Sequence, residues 1–117
     1  MFKRSIMILF LAVLLVVSSD SLARFTGPSI SGRSRTVEEI SDLRIGSYVT
    51  LSGHILEHQR SDYYTFQDAT GQIRIEISSS VWPDGGIGPD TRVQILGEVD
   101  RSFSGRYIWV KSLSILP

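Results

Sequence analysis

Seven side chains in this sequence have the types and spacing to hold a ligand: Arg60, Tyr63, Arg74, Phe103, Arg106, Tyr107 and Trp109. A flat aromatic ring offers its π face to a sugar ring, a peptide side chain or a base, and interleaved arginines add charge and a planar fork of donors. Covalent and metal chemistry find less support. His54 and His58 fall on one face of a strand, yet four residues at roughly 3.3 Å each set their backbones about 13 Å apart. That is too far for one tetrahedral zinc, whose ligands sit about 2.1 Å from the metal. The chain has no cysteine and therefore no thiolate nucleophile, and no Gly-x-Ser-x-Gly elbow raises a serine for attack. Gly85-Gly86-Ile87-Gly88 has the glycines of a phosphate cradle but lacks its lysine and following helix. The expectation is recognition, with no catalytic residue, no metal and no cofactor.

Strands must position these groups. From Tyr63 to Ile77 the sequence alternates twice, with Tyr64 and Phe66 opposed to Tyr63, Thr65 and Gln67, then Ile73, Ile75 and Ile77 opposed to Arg74 and Glu76. Period two in both halves marks two strands each buried on one side. Asp68-Ala69-Thr70-Gly71 between them predicts a type I turn closing on a bulge, with Gly71 taking positive φ. A hairpin with one apolar face is marginal alone in water, so other elements must cover it. Tyr48 to His58 alternates through Val49, Leu51 and Ile55 around Gly53, a mid-strand glycine that predicts a bend letting one strand serve two sheets. Ser78 to Asp90 reads as a turn-rich crossing anchored by Trp82. Thr91 to Asp100 and Arg106 to Ile115 supply two further strands, joined by the turn Arg101 to Gly105. This count and order predict an all-β chain, a five-stranded OB-fold Greek-key barrel. A short N-terminal helix precedes it: Thr36 and Glu39 have capping-box spacing, Val37, Ile40 and Leu43 share a face, and the chain breaks near Gly46. A helix of two turns at most is stable only if docked, which places it across one end of the barrel.

The chain has 117 residues with 12 basic and 12 acidic side chains, room for one small domain. Lys3 and Arg4 precede an unbroken apolar run from Ile6 to Val17, and Ser21-Leu22-Ala23 offers small residues for cleavage. Residues 1–23 are therefore expected to be a secretory signal peptide, its apolar run falling short of the ~20 residues that span a bilayer. Membrane contact is expected only through that segment before cleavage, and the location is expected to be periplasmic. Residues 24–35, rich in Ser, Gly and Arg without apolar period, are expected to form a flexible tail, leaving 36–117 as the barrel domain. The balanced charge argues against nonspecific nucleic-acid binding, which needs a strongly basic surface.

Val49-Thr50-Leu51-x-Gly53-x-Ile55, Tyr64-x-Phe66-x-Asp68-Ala69-Thr70-Gly71-x-Ile73 and Val93-x-Ile95-x-Gly97-Glu98-Val99-Asp100, together with Phe25-x-Gly27-Pro28, occur in that set along the chain. In these motifs the sequence resembles the bacterial OB-fold (BOF) family, small exported proteins of the YgiW/YdeI stress-tolerance group. The resemblance implies a periplasmic, non-enzymatic OB domain of a Gram-negative bacterium, connected with tolerance of cationic antimicrobial peptides, oxidants and other envelope stress. It carries over no catalytic residue. Where the family often has acidic residues, this chain has Ile45-Gly46, Tyr107 and Trp109, which weakens the acidic surface expected of a cation-binding protein.

An OB-fold binds on the outer face of its second and third strands and on the loops beside them. Tyr63 and Arg74 belong to that face, Tyr107 and Trp109 should lie near Arg74, and Arg60, Phe103 and Arg106 should flank it. The competing reading packs Tyr107 and Trp109 beneath the helix or tail. Two functions follow. One is an envelope binding protein for a glycan or a cationic peptide; the other is an interaction module docking on another envelope protein.

Overall fold

The computed structural model describes residues 32–117. The expected signal peptide and residues 24–31 of the expected tail lie outside them. Six strands follow in order: β1 Arg33–Ser34, β2 Tyr48–Arg60, β3 Tyr63–Asp68, β4 Gly71–Glu76, β5 Arg92–Ser102 and β6 Gly105–Ile115, with one 3-10 helix, Val37–Asp42, between β1 and β2. The sheet order is β1-β2-β3-β4-β6-β5, and β5 pairs again with β2. Strands β2 to β6 therefore close into the five-stranded barrel, with β1 as an added strand. Closure removes the open edges that would otherwise invite association.

Alternation along the strands builds the core. Val49, Leu51 and Ile55 of β2, Phe66 of β3, Ile75 of β4, Val93, Ile95 and Val99 of β5, and Ile108 and Val110 of β6 are buried together with Ile77. Trp82 of the crossing packs on this cluster, as expected of an anchor, with its ring edge-on to Tyr64 at 5.2 Å.

β2 does serve two sheets. Its first half pairs with β5 from Tyr48 to His54, and its second half pairs with β3 from His54 to Arg60. The pivot falls beside Gly53, but not because of its φ, which lies outside the left-handed region. A Cβ there would run into the backbone carbonyl of Gln67 and come within 3.0 Å of the Phe66 ring. Close approach of neighbouring backbone, where the strand turns from one partner to the other, demands the glycine.

Four details differ from the sequence reading. The hairpin joining β3 and β4 has no bulge: Asp68 pairs directly with Gly71, and Gly71 does not take positive φ. Its turn is held by the Asp68 carboxylate, whose Oδ1 accepts from the Thr70 N–H and hydroxyl, so the glycine's freedom goes unused. The helix is 3-10 and ends at Asp42. Val37, Ile40 and Leu43 recur every third residue, which is the 3-10 repeat. Arg33–Ser34, expected in the tail, pair in parallel with Val49 and Thr50. The turn expected over Arg101 to Gly105 is tighter, since Ser102 pairs with Gly105, whose φ of 114° suits only glycine.

The helix closes one end of the barrel and is tied there by charge. The Glu39 carboxylate accepts from the Thr36 N–H at 2.8 Å, and Asp68 Oδ2 accepts from the Val37 N–H at 2.8 Å. The Thr70 hydroxyl accepts from the Glu38 N–H. At the other end of the helix, Arg106 Nη1 donates to the Leu43 and Ile40 carbonyls. The Val37 and Glu38 N–H groups and the Ile40 and Leu43 carbonyls are thus satisfied across long sequence separations.

Candidate functional site

The outer surface of β4, β6 and β5 is built by register. On β6, Ile108 and Val110 point inward, so Tyr107 and Trp109 point out. β4 runs parallel to β6, with Arg74 opposite Tyr107 and Glu76 opposite Trp109. β5 runs antiparallel on the other side, with Asp100 opposite Tyr107 and Glu98 opposite Trp109. Extending across the barrel, Tyr48 stands opposite Glu98 and Tyr63 opposite Glu76. One row therefore reads Tyr48, Glu98, Trp109, Glu76, Tyr63, with aromatic and carboxylate alternating. Successive members are about 4.8 Å apart, the spacing of paired strands. A second row, about 7 Å along the strands, reads Asp100, Tyr107, Arg74, Thr65.

Contacts lock part of this face. The Tyr63 and Tyr107 rings meet edge to face at 6.1 Å, and the Arg74 guanidinium lies 5.4 Å from the Tyr63 ring centre. The Tyr107 hydroxyl donates to Asp100 Oδ2 at 3.2 Å. Burial, the bond to Asp100 and the nearby charges of Asp100 and Glu76 push the Tyr107 phenol up to about 12. Trp109 is 42% exposed. Between Leu96 and Gly97 the register shifts, passing from Ser112 to Val110 on β6 and leaving Lys111 unpaired in a bulge. The Lys111 ammonium sits 3.2 Å from the Trp109 ring centre and 4.0 Å from Glu98 Oε1. Among the described residues, Glu76 enters no ion pair.

Of the seven residues singled out from sequence, the structure brings four together: Tyr63, Arg74, Tyr107 and Trp109. Tyr107 and Trp109 stand on the outer face, and the helix leaves Trp109 uncovered. Arg60 stands opposite Tyr63 at the margin. Phe103 projects fully exposed from the tip between β5 and β6, apart from the four. Arg106 turns inward with the parity of Ile108, to the helix carbonyls, so its guanidinium is a structural tie. Glu76, Glu98, Asp100 and Lys111 complete the surface and were not singled out. Period two already placed them outward, but only the register across strands sets them beside the aromatics. The acidic surface that Tyr107 and Trp109 had seemed to weaken is supplied by their neighbours. Among the described residues, no group of three or more His, Cys, Asp or Glu gathers to hold a metal. His58 stacks on Tyr64 at 4.6 Å, and its Nε2 lies 2.6 Å from the Ser61 carbonyl oxygen.

Comparison with known proteins decides the family. The family model described as bacterial OB fold (BOF) protein matches residues 19–115. The chain belongs to the BOF family. It is 35% identical over 94 residues to the calcium-regulated OB-fold protein CarO of Pseudomonas aeruginosa, covering 80% of this chain and 81% of CarO. It is 38% identical to protein YgiW of Escherichia coli K12, over 88% of this chain and 91% of YgiW. The solved structure of the hypothetical protein YgiW superimposes with a TM-score of 0.68 over 80% of this chain and 98% of that one. A more remote likeness is to replication protein A of U. maydis, in a structure bound to single-stranded DNA, with a TM-score of 0.55 at 14% identity over 77% of each chain. That likeness shows the OB-fold alone.

Proposed function

We propose that this BOF protein is a non-enzymatic, exported binding protein of the periplasm that contributes to envelope stress tolerance by holding cationic peptides. The ligand surface is the outer face of β4, β6 and β5. One observation carries the reading: the row in which Glu98 and Glu76 flank Trp109, with Tyr48 and Tyr63 beyond. An ammonium or guanidinium over an aromatic ring gains from the ring quadrupole, and carboxylates on either side add Coulomb attraction and steer a cationic ligand toward the face. The glycan reading is less well served, because the Trp109 ring and its flanking carboxylate already hold an ammonium, the group a cationic peptide presents. Export is supported by the charged, apolar and small-residue order of residues 1–23.

Calorimetric titration tests this with three probes: a lysine-rich peptide, a soluble peptidoglycan fragment and an oligonucleotide. The peptide should bind the wild type, and Trp109→Ala should weaken it by roughly 0.5–2 kcal/mol while leaving the fold intact. Arg74→Ala should leave peptide binding unchanged or stronger, because a repelling charge is gone. Weaker peptide binding in Arg74→Ala, or binding of the glycan alone, would defeat the proposal.

A further inference from the structure

We infer that Lys111 is a tethered competitor, the chain's own cation seated where a ligand's lysine or arginine binds, so that ligand capture requires Lys111 to leave the Trp109 ring. The inference rests on the cationic-peptide reading and names the regulation of that same site. Three features place Lys111 in this role. The bulge leaves it outside the β5–β6 pairing, so no residue stands directly opposite to hold its side chain against the sheet. It stands two residues beyond Trp109, on a long flexible stem, with its ammonium 3.2 Å from the ring centre. Its only ion pair among the described residues is with Glu98 at 4.0 Å, and both side chains remain about 30% exposed, at 31% and 28%. Contacts of this exposed kind are weak and readily exchanged.

A ligand cation reaching the same ring would take over the contacts of Lys111 and gain a carboxylate that Lys111 does not use. Glu76 lies on the opposite side of Trp109 from Glu98 and has no ion-pair partner among the described residues. The released Lys111 ammonium returns to water, where its hydration compensates it. Lys111 thus raises the threshold: a ligand presenting one isolated cation competes poorly, whereas one presenting several near each other displaces it. While no ligand is bound, the same residue covers an exposed indole face.

The test uses the exported protein with tetralysine amide as the probe. In the free protein the ε-methylene protons of Lys111 should resonate upfield, shielded by the Trp109 ring, and should move to the ordinary lysine position as the peptide saturates. Lys111→Met keeps the stem and removes the competing charge, and it should bind tetralysine about two- to fivefold more tightly. That gain should vanish in a Trp109→Ala background, because a general loss of positive charge would persist there and displacement from the ring would not. Lys111 protons that stay upfield while the Trp109 indole resonance shifts, or a Lys111→Met variant that binds no more tightly, would overturn the inference and leave the peptide reading standing. Unchanged tetralysine binding in Trp109→Ala alone would overturn both.

Discussion

Adding one methyl group at Gly53 should be among the most damaging small changes in the barrel. The new Cβ would collide with the Gln67 carbonyl oxygen and lie 3.0 Å from the Phe66 ring and 3.1 Å from the Gln67 carbonyl carbon. None of these neighbours gives way cheaply. Gln67 is paired with His54 on one side and Gln72 on the other, and Phe66 is fully buried in the core. Overpacking of this kind costs about 1–3 kcal/mol, and the backbone partner on one side of the clash puts Gly53→Ala near about 3 kcal/mol. For a domain with about 5–10 kcal/mol of total stability, that one change removes roughly a third to three-fifths of it. The melting temperature should fall by roughly 12–24 °C. With an m-value of about 1 to 1.5 kcal/mol/M, the urea midpoint should fall by roughly 2–3 M. Gly86→Ala is the control: nothing lies within 4 Å of its Cβ position and its φ is not positive, so its midpoint should be nearly unchanged. A Gly53→Ala midpoint within about 0.3 M of wild type would refute the close approach of β2 and β3.

Further outcomes follow from the tied helix and the outer face. Burial raises the Asp68 carboxyl, but bonds from the Thr70 hydroxyl and from the Val37, Thr70 and Gly71 N–H groups outweigh it and hold the carboxyl below the ordinary 3.8. Its stabilisation is present above 3.8 and lost as pH falls through the lower folded value, so Asp68→Asn should flatten the acid limb of a stability profile measured by urea melts. Tyr107, at about 12, should be the last tyrosine to ionise in an ultraviolet titration. Its contribution is complete below about 10 and fades as pH rises toward 12, so Tyr107→Phe should be less stable than wild type at neutral pH and should flatten the alkaline limb of the profile. Arg106→Met should cost about 1–2 kcal/mol by releasing the Ile40 and Leu43 carbonyls, with peptide affinity unchanged in the same calorimetric titration.

The barrel was legible because its signals are local. Alternation through Val49, Leu51, Phe66, Ile75, Ile95 and Ile108 marks each strand, and Gly53 marks the place where one strand changes partners. The 3-10 character of the helix was also written in the threefold spacing of Val37, Ile40 and Leu43, although that spacing is shared by an α-helical face. The turn at Asp68 was misread because a glycine three residues after an aspartate suggests positive φ, whereas the aspartate's own carboxylate closes the turn. Arg106 was misread for a different reason. Its charge suggests a surface ligand group, while its parity with Ile108 turns it inward to the helix end. The outer face was half legible: Tyr63, Arg74, Tyr107 and Trp109 could be named from their strands, but Glu76, Glu98 and Asp100 become their neighbours only through pairings between distant segments. The bulge that frees Lys111 depends on the same long-range register, which composition and period do not encode.

Under the proposed function, the outer face of β4, β6 and β5 takes cationic peptide groups. Residue-resolved NMR titration of the protein with a lysine-rich peptide addresses this. Saturable shifts should cluster at Arg74, Glu76, Glu98, Asp100, Tyr107, the Trp109 indole and Lys111, and should weaken as salt rises because the attraction is between exposed charges. Shifts confined instead to Arg60, Phe103 or the helix end, or no saturable shift at any of the seven, would contradict the account.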